Sequence, residues 1–158
     1  MEAEARLREQ LAKLLDWEDA HVSFDAAVEG IAPRLRGATP AGLPHSPWQL
    51  LEHLRRTQRD ILDFCVSAHY ALPKWPEEYW PPSAAPASDM EWEGSVAAFS
   101  RDREALQRLS RDPATDLFSR VPNGDGQTYL REILLAADHT SYHVGQMIVV
   151  RRALGIWS

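Results

Sequence analysis

Ser46-Pro47-Trp48-Gln49-Leu50-Leu51-Glu52-His53-Leu54 is the stretch on which the reading of the whole chain turns. Serine at the N-cap, proline at the first helical position and glutamine at the third form a capping box. The two polar side chains satisfy backbone N–H groups that a helix start leaves unpaired. Leu50, Leu54, Ile61 and Cys65 carry the apolar face onward, so a helix is predicted from this box to about Ala68. His53 lies in the middle of it, beside the apolar stripe.

Helical spacing recurs on both sides. Leu7, Leu11, Leu14 and Leu15 mark one stripe, and Val22, Phe24, Val28 and Ile31 a second, giving a first unit from about Glu2 to Ile31. Asp16-Trp17-Glu18-Asp19 separates them and offers Asp16 as an N-cap, so this helix is expected to break near residues 16–19. Pro33 to Pro44 reads as a loop. Ser88-Asp89-Met90-Glu91 is a second capping box, opening a helix through Trp92, Val96, Phe99, Leu106 and Leu109. Asn123-Gly124-Asp125-Gly126 is a turn. The last helix then runs from about Gln127 or Thr128 to Leu154, with Gly155 as its stop. No segment alternates apolar and polar residues as a half-buried strand would. The expected fold class is therefore all-α, a four-helix bundle forming a single domain over residues 1–158.

The connection between the second and third helices holds Pro73, Pro76, Pro81, Pro82 and Pro86, and helix cannot pass through it. Its roughly 20 residues reach about 65 Å when extended, whereas a helix of about 22 residues is about 33 Å long. Such a connection can cross the bundle end to end, so helices two and three are predicted to run parallel. Trp75, Tyr79 and Trp80 would pack it down, either as a lid over a site or as a plain surface staple.

Composition narrows the function classes. The 158 residues are 44% hydrophobic and 25% charged, with a formal net charge of -6, as in an ordinary globular domain. No run approaches the roughly 20 apolar residues of a membrane span, and the acidic start Met1-Glu2-Ala3-Glu4-Ala5-Arg6 is unlike a signal peptide. A cytoplasmic location and no membrane partner are expected. The single Cys65 excludes an internal disulfide and every Cys-rich zinc motif. Arg55-Arg56 and Arg151-Arg152 are too short for a phosphate-binding surface and read as solvated helix faces, so no nucleic-acid partner is expected.

His139 and His143 stand four apart in Asp138-His139-Thr140-Ser141-Tyr142-His143. On a helix that spacing puts both imidazoles on one face, roughly 5–6 Å apart at Cβ, where one ion can bridge them. The same spacing also suits two half-exposed histidines with ordinary hydrogen bonds. His53 needs a partner if buried, because an unpaired polar group in a core costs free energy. A metal, a carboxylate or a backbone carbonyl would each serve. Gln49 and Thr57, four positions either side of His53, and Gln146, three beyond His143, are candidate pocket residues or simple inter-helix hydrogen bonders. Gly145 is consistent with a close helix approach. Glu18-x-x-His21 has the spacing of a di-iron ligand pair, but a second such motif is lacking. His21 therefore lines the pocket at most, or sits in the core or on the surface. His45 and His69 are not assigned as ligands.

These features resemble the DinB/YfiT-like superfamily: a mid-helix histidine after Trp48-x-x-x-Glu52-His53, and His139-x-x-x-His143 followed by Gly145-Gln146. Tyr142-His143-Val144-Gly145-Gln146 is the most specific piece, and Asp16-Trp17-Glu18-Asp19-Ala20-His21-Val22 is similar too. The resemblance covers essentially the whole chain. It implies a four-helix bundle with parallel central helices, often a homodimer. It also implies a divalent ion, most commonly nickel or zinc, held by His53, His139 and His143. It implies an activity as well: a metal-dependent transferase that activates a low-molecular-weight thiol toward a small electrophilic substrate. A metal-dependent hydrolase of a small substrate, or a non-catalytic metal-binding stress-response protein, fits the same residues. The chain lacks His-Glu-x-x-His, and no catalytic base is named.

Overall fold

Four long helices carry the architecture in the computed structural model, which describes residues Glu2–Trp157. In chain order the helices are α1 (Glu2–Leu14), α2 (Phe24–Val28), α3 (Pro33–Arg36), α4 (Pro47–Val66), α5 (Asp89–Arg111) and α6 (Tyr129–Ala153). Among the described residues there is no strand, only one antiparallel bridge between Arg120 and Thr128 in the turn before α6.

Side-chain partners fix the directions. Glu52 faces Ser95, Gln58 faces Phe99 and Arg59 faces Asp102, so numbers rise together and α4 runs parallel to α5. Glu9 meets Arg111, Ala12 meets Gln107 and Asp16 meets Arg103, so α1 is antiparallel to α5. Leu50 shares a cleft wall with Val149 and Val150, whereas Phe64 lies across from Glu132 and Leu135, so α6 is antiparallel to α4. Residues 67–88 make the crossover that a parallel α4–α5 pair requires.

Each helix start follows its local chemistry. Ser46 Oγ accepts from the Gln49 N–H (3.2 Å) and Gln49 Oε1 from the Ser46 N–H (3.0 Å), completing the capping box. The Ser88 box is half made. Ser88 Oγ takes the Glu91 N–H, but the Glu91 carboxylate turns to the Ala87 N–H instead. Thr128 caps α6, and Gly155 (φ +71°) ends it in the left-handed conformation that favours glycine.

The first unit is more broken than its two stripes suggest. α1 stops at Leu14, and α2 is five residues long with Ser23 as its N-cap. Asp16 is not a cap. It accepts from Arg103 Nη1 (2.7 Å), while Asp25 accepts from Nη2 (2.9 Å), so one guanidinium on α5 holds both sides of the break. The predicted loop after Ile31 contains α3, which begins on Pro33 and ends at Gly37. There a Cβ would stand 2.4 Å from the Ala85 Cβ, so glycine lets the crossover lie against α3.

The basic pairs are not simple solvated faces. Arg55 and Arg56 both bind the buried Glu52 carboxylate, and Arg151 is buried, donating to the carbonyls of Ala26 and Ala27. Only Arg152 of the second pair is exposed. No helix among the described residues is long and apolar enough to cross a membrane.

Two apolar clusters fill the bundle. One gathers Leu11, Leu15, Leu106, Ile133 and their neighbours at one end, and the other Phe24, Leu50, Trp92, Phe99 and Met147. Phe99 is fully buried, stacks on Phe24 (centroids 3.8 Å apart) and fixes α2 against α5. Phe99→Ala is expected to destabilise the fold by about 3–5 kcal/mol, the usual range for emptying such a site. Urea unfolding measures this; a loss under about 1 kcal/mol would show that the α2–α5 contact is not part of the core.

Candidate metal centre

His53 on α4 and His139 and His143 on α6 come together where these antiparallel helices pass. Their imidazole centroids are 4.4–4.9 Å apart, and one ring nitrogen from each lies within 4.8 Å of the others. His53 Nε2 and His139 Nε2 are 3.1 Å apart. Neighbouring ligands around an ion with 2.0–2.1 Å metal–nitrogen bonds are separated by about 3.3 Å, so small ring rotations close the remaining distance. The donor set therefore fits a divalent ion. Among the described residues no carboxylate, thiol or fourth histidine belongs to the group.

Hydrogen bonds outside the cluster set which nitrogens are free. His53 Nδ1 lies 3.0 Å from the Tyr79 carbonyl, which can only accept, so Nδ1 carries the proton and Nε2 the lone pair. His143 Nδ1 donates to Gln146 Oε1 (2.7 Å), leaving its Nε2 free, and Gln146 Nε2 donates to the Tyr142 hydroxyl (3.3 Å). Such outer partners hold a ligating imidazole in one tautomer and orientation.

Burial keeps the rings neutral. His53 is 3% exposed and His143 6%. Desolvation lowers the His53 pKa to about 4 against the opposing pull of the Tyr79 carbonyl, with a further lowering from His143. Desolvation and the two neighbouring imidazoles lower His139 to about 3, and desolvation lowers His143 although Gln146 opposes it. At neutral pH each ring is neutral; in the metal-free protein His139 Nε2–H donates to the His53 Nε2 lone pair, a proton that a bound ion would replace. One turn along α4 from His53, Thr57 Oγ1 is buried and has no partner among the described residues, an orphan acceptor and donor beside the cluster.

The crossover segment closes one side. Trp80 lies flat on the His53 imidazole, centroids 3.8 Å apart and planes 3° from parallel, with His45 stacked on its other face at 4.1 Å. Tyr79 supplies the carbonyl and Trp80 the cover, whereas Trp75 stays 66% exposed and only edges toward His53. The aromatic run gave a signal for packing, but nothing in it marked a backbone carbonyl as the partner of His53.

The remaining pocket candidates divide. Gln146 orients His143, as just described. Gln49 is occupied by its helix cap, because its side-chain oxygen answers the Ser46 N–H. His21 is exposed and lies outside the cluster, bonding Ser141 Oγ (3.2 Å) and the Val22 carbonyl. Gly145 is also exposed, and no atom of another element would meet a Cβ there, so it marks no close helix approach. His45 was missed in its role, since stacking on a tryptophan 35 positions away leaves no local pattern. Glu52, beside His53, is 3% exposed. Burial alone would raise its pKa, but hydrogen bonds from Arg55 and Ser95, with Arg56, outweigh this and hold it at about 2.

A cleft of about 520 Å³ is walled by Leu43, Pro44, Leu50, Val149 and Val150, with His45, Tyr142 and Gln146 as its polar groups; Gln146 links it to His143, and none of the three clustered histidines lines it. No wall residue carries a carboxylate, ammonium or guanidinium. A larger hollow of about 700 Å³ over α2 and α5 has Glu18, Asp25, Glu29, Arg36 and Glu93 in its walls and none of the three histidines.

The model of the DinB superfamily matches residues 16–147, and the chain belongs to that superfamily. No curated protein gives a significant match. No solved structure does either.

The lowered imidazole pKa values fix the sign of a pH effect. Between the ordinary histidine value of 6.5 and the folded values of about 4 for His53 and about 3 for His139, the unfolded chain takes up protons that the folded chain refuses. Metal-free protein is therefore expected to lose stability as pH falls from about 6.5 toward 4. Urea midpoints recorded across that range test this, and a His139→Leu variant should have a flatter profile.

Proposed function

We propose that this chain is a divalent-metal-dependent transferase that joins a low-molecular-weight thiol to a small electrophile, with His53, His139 and His143 as the metal ligands and nickel or zinc as the ion. The observation that carries the reading is the convergence of three neutral imidazoles with no fourth protein ligand among the described residues. Catalytic zinc-type sites use three protein ligands and keep a position open, whereas structural sites close with four. Bound there, a divalent ion supplies Lewis acidity that favours the thiolate form of a thiol or polarises a carbonyl.

The protein's own residues support the rest. Cys65 is fully buried and burial pushes its thiol up to about 12, so the reacting sulfur has to come from outside the chain. A cytoplasmic setting, which keeps small thiols reduced, suits that requirement. Trp80 excludes water from one face of His53. The uncharged cleft beside Gln146 suits the apolar part of an electrophile, within the volume range of small-molecule sites. The outer side of α6 presents exposed Leu134, Tyr142 and Val149 around Gly145, and we assign this surface to a homodimer contact. Membership of the superfamily agrees with the metal reading.

Metal analysis of the purified protein is expected to find about one divalent ion per chain, and His139→Ala to abolish tight binding while far-UV circular dichroism keeps most of the helix. Retention of a full equivalent by His139→Ala would overturn the ligand set. Incubation of the loaded protein with a small thiol and an electrophilic test compound is expected to give the thioether adduct; a hydrolysed product appearing without thiol would point to a hydrolase instead.

A further inference from the structure

Beyond the ligands themselves, one residue two helical turns away stands at the end of a short chain of contacts leading to His53. His53, Arg56 and Asp60 follow one another at i, i+3 and i+7 on α4, a single stripe facing the crossover. Each binds it. His53 donates to the Tyr79 carbonyl, Arg56 Nη1 reaches the carbonyls of Glu78 and Trp80 (3.3 Å each), and Asp60 accepts from two phenols. Tyr70 donates to Asp60 Oδ1 (2.8 Å) and Tyr79 to Oδ2 (2.7 Å), so one carboxylate ties down residues nine positions apart. Tyr79 is the joint: its hydroxyl rests on Asp60 and its carbonyl holds the His53 Nδ1–H.

We propose that Asp60 is a positioning residue of the metal centre, setting the tautomer and orientation of His53 through Tyr79. This rests on the metal reading above only for its effect on affinity; the effect on His53 itself does not need an ion. Free imidazole side chains favour the proton on Nε2, so a fixed carbonyl opposite Nδ1 is what turns the lone pair of Nε2 toward the cluster. Release of the Tyr79 hydroxyl leaves that carbonyl held only through the backbone on either side, by Arg56 and the Pro76 carbonyl, and so loosens its hold on His53. Residues of this outer kind change metal affinity by about 10–100-fold when lost.

The test combines zinc titration with nitrogen-15 NMR of the histidine rings in metal-free protein. Tyr79→Phe keeps the carbonyl, the ring and the Asp60 charge, and removes only the hydroxyl. Asp60→Ala removes the acceptor. Both are expected to shift His53 toward the Nε2–H tautomer and to weaken zinc binding at least about tenfold. The double variant should be no weaker than Asp60→Ala, because both changes cut the same link. The proposal fails if His53 keeps its Nδ1–H tautomer in both variants. It also fails if the two losses add independently, or if the weakening only parallels a loss of helix in metal-free protein. Were wild-type protein to bind neither zinc nor nickel, the metal reading would fall, and the tautomer measurement alone would still decide the role of Asp60.

Discussion

Three imidazoles withdrawn from water at one helix contact are the constraint around which this bundle is arranged. A buried ring nitrogen without a partner is costly, and the buried His53 and His143 meet the half-buried His139 where α4 and α6 cross. The protein meets that cost with groups from three places: a carbonyl from the crossover, a glutamine from the next turn of α6, and the rings themselves. The carbonyl and the glutamine each hold an Nδ1–H and so turn the Nε2 lone pair of their histidine inward.

The topology follows from the same need. Parallel α4 and α5 oblige residues 67–88 to travel the length of the bundle, and the path chosen passes over His53. A tight hairpin between these helices would have left the imidazole open to water on that side. The strap is held by α4 on one side, through Arg56 and Asp60, and at its far end by Ser46 Oγ on the Ala84 carbonyl. The helix that provides a ligand therefore also provides the fastening for that ligand's cover.

Charge around the centre is balanced locally. Glu52, next to His53 in sequence, is saturated by Arg55, Arg56 and Ser95, so it contributes little net field and no free base. The basic pairs that might have suggested an anion-binding surface hold buried carboxylate and carbonyls, while the cleft beside Gln146 carries no charged wall.

The sequence by itself determined the four long helices, their order and the crossover, because these rest on local facts: a capping box at Ser46, prolines between residues 73 and 86, and apolar stripes at helical spacing. It also narrowed the site to a few polar residues, since His139 and His143 share a helix face by geometry alone. It misjudged Asp16 and Gly145, where the local pattern allowed several partners. Only the tertiary structure decided that Arg103 claims Asp16 and that nothing packs on Gly145. The same holds for the Tyr79 carbonyl and the Trp80 stack. A backbone oxygen has no letter in a sequence, and a contact across 26 residues is fixed by how the chain packs, not by its spacing.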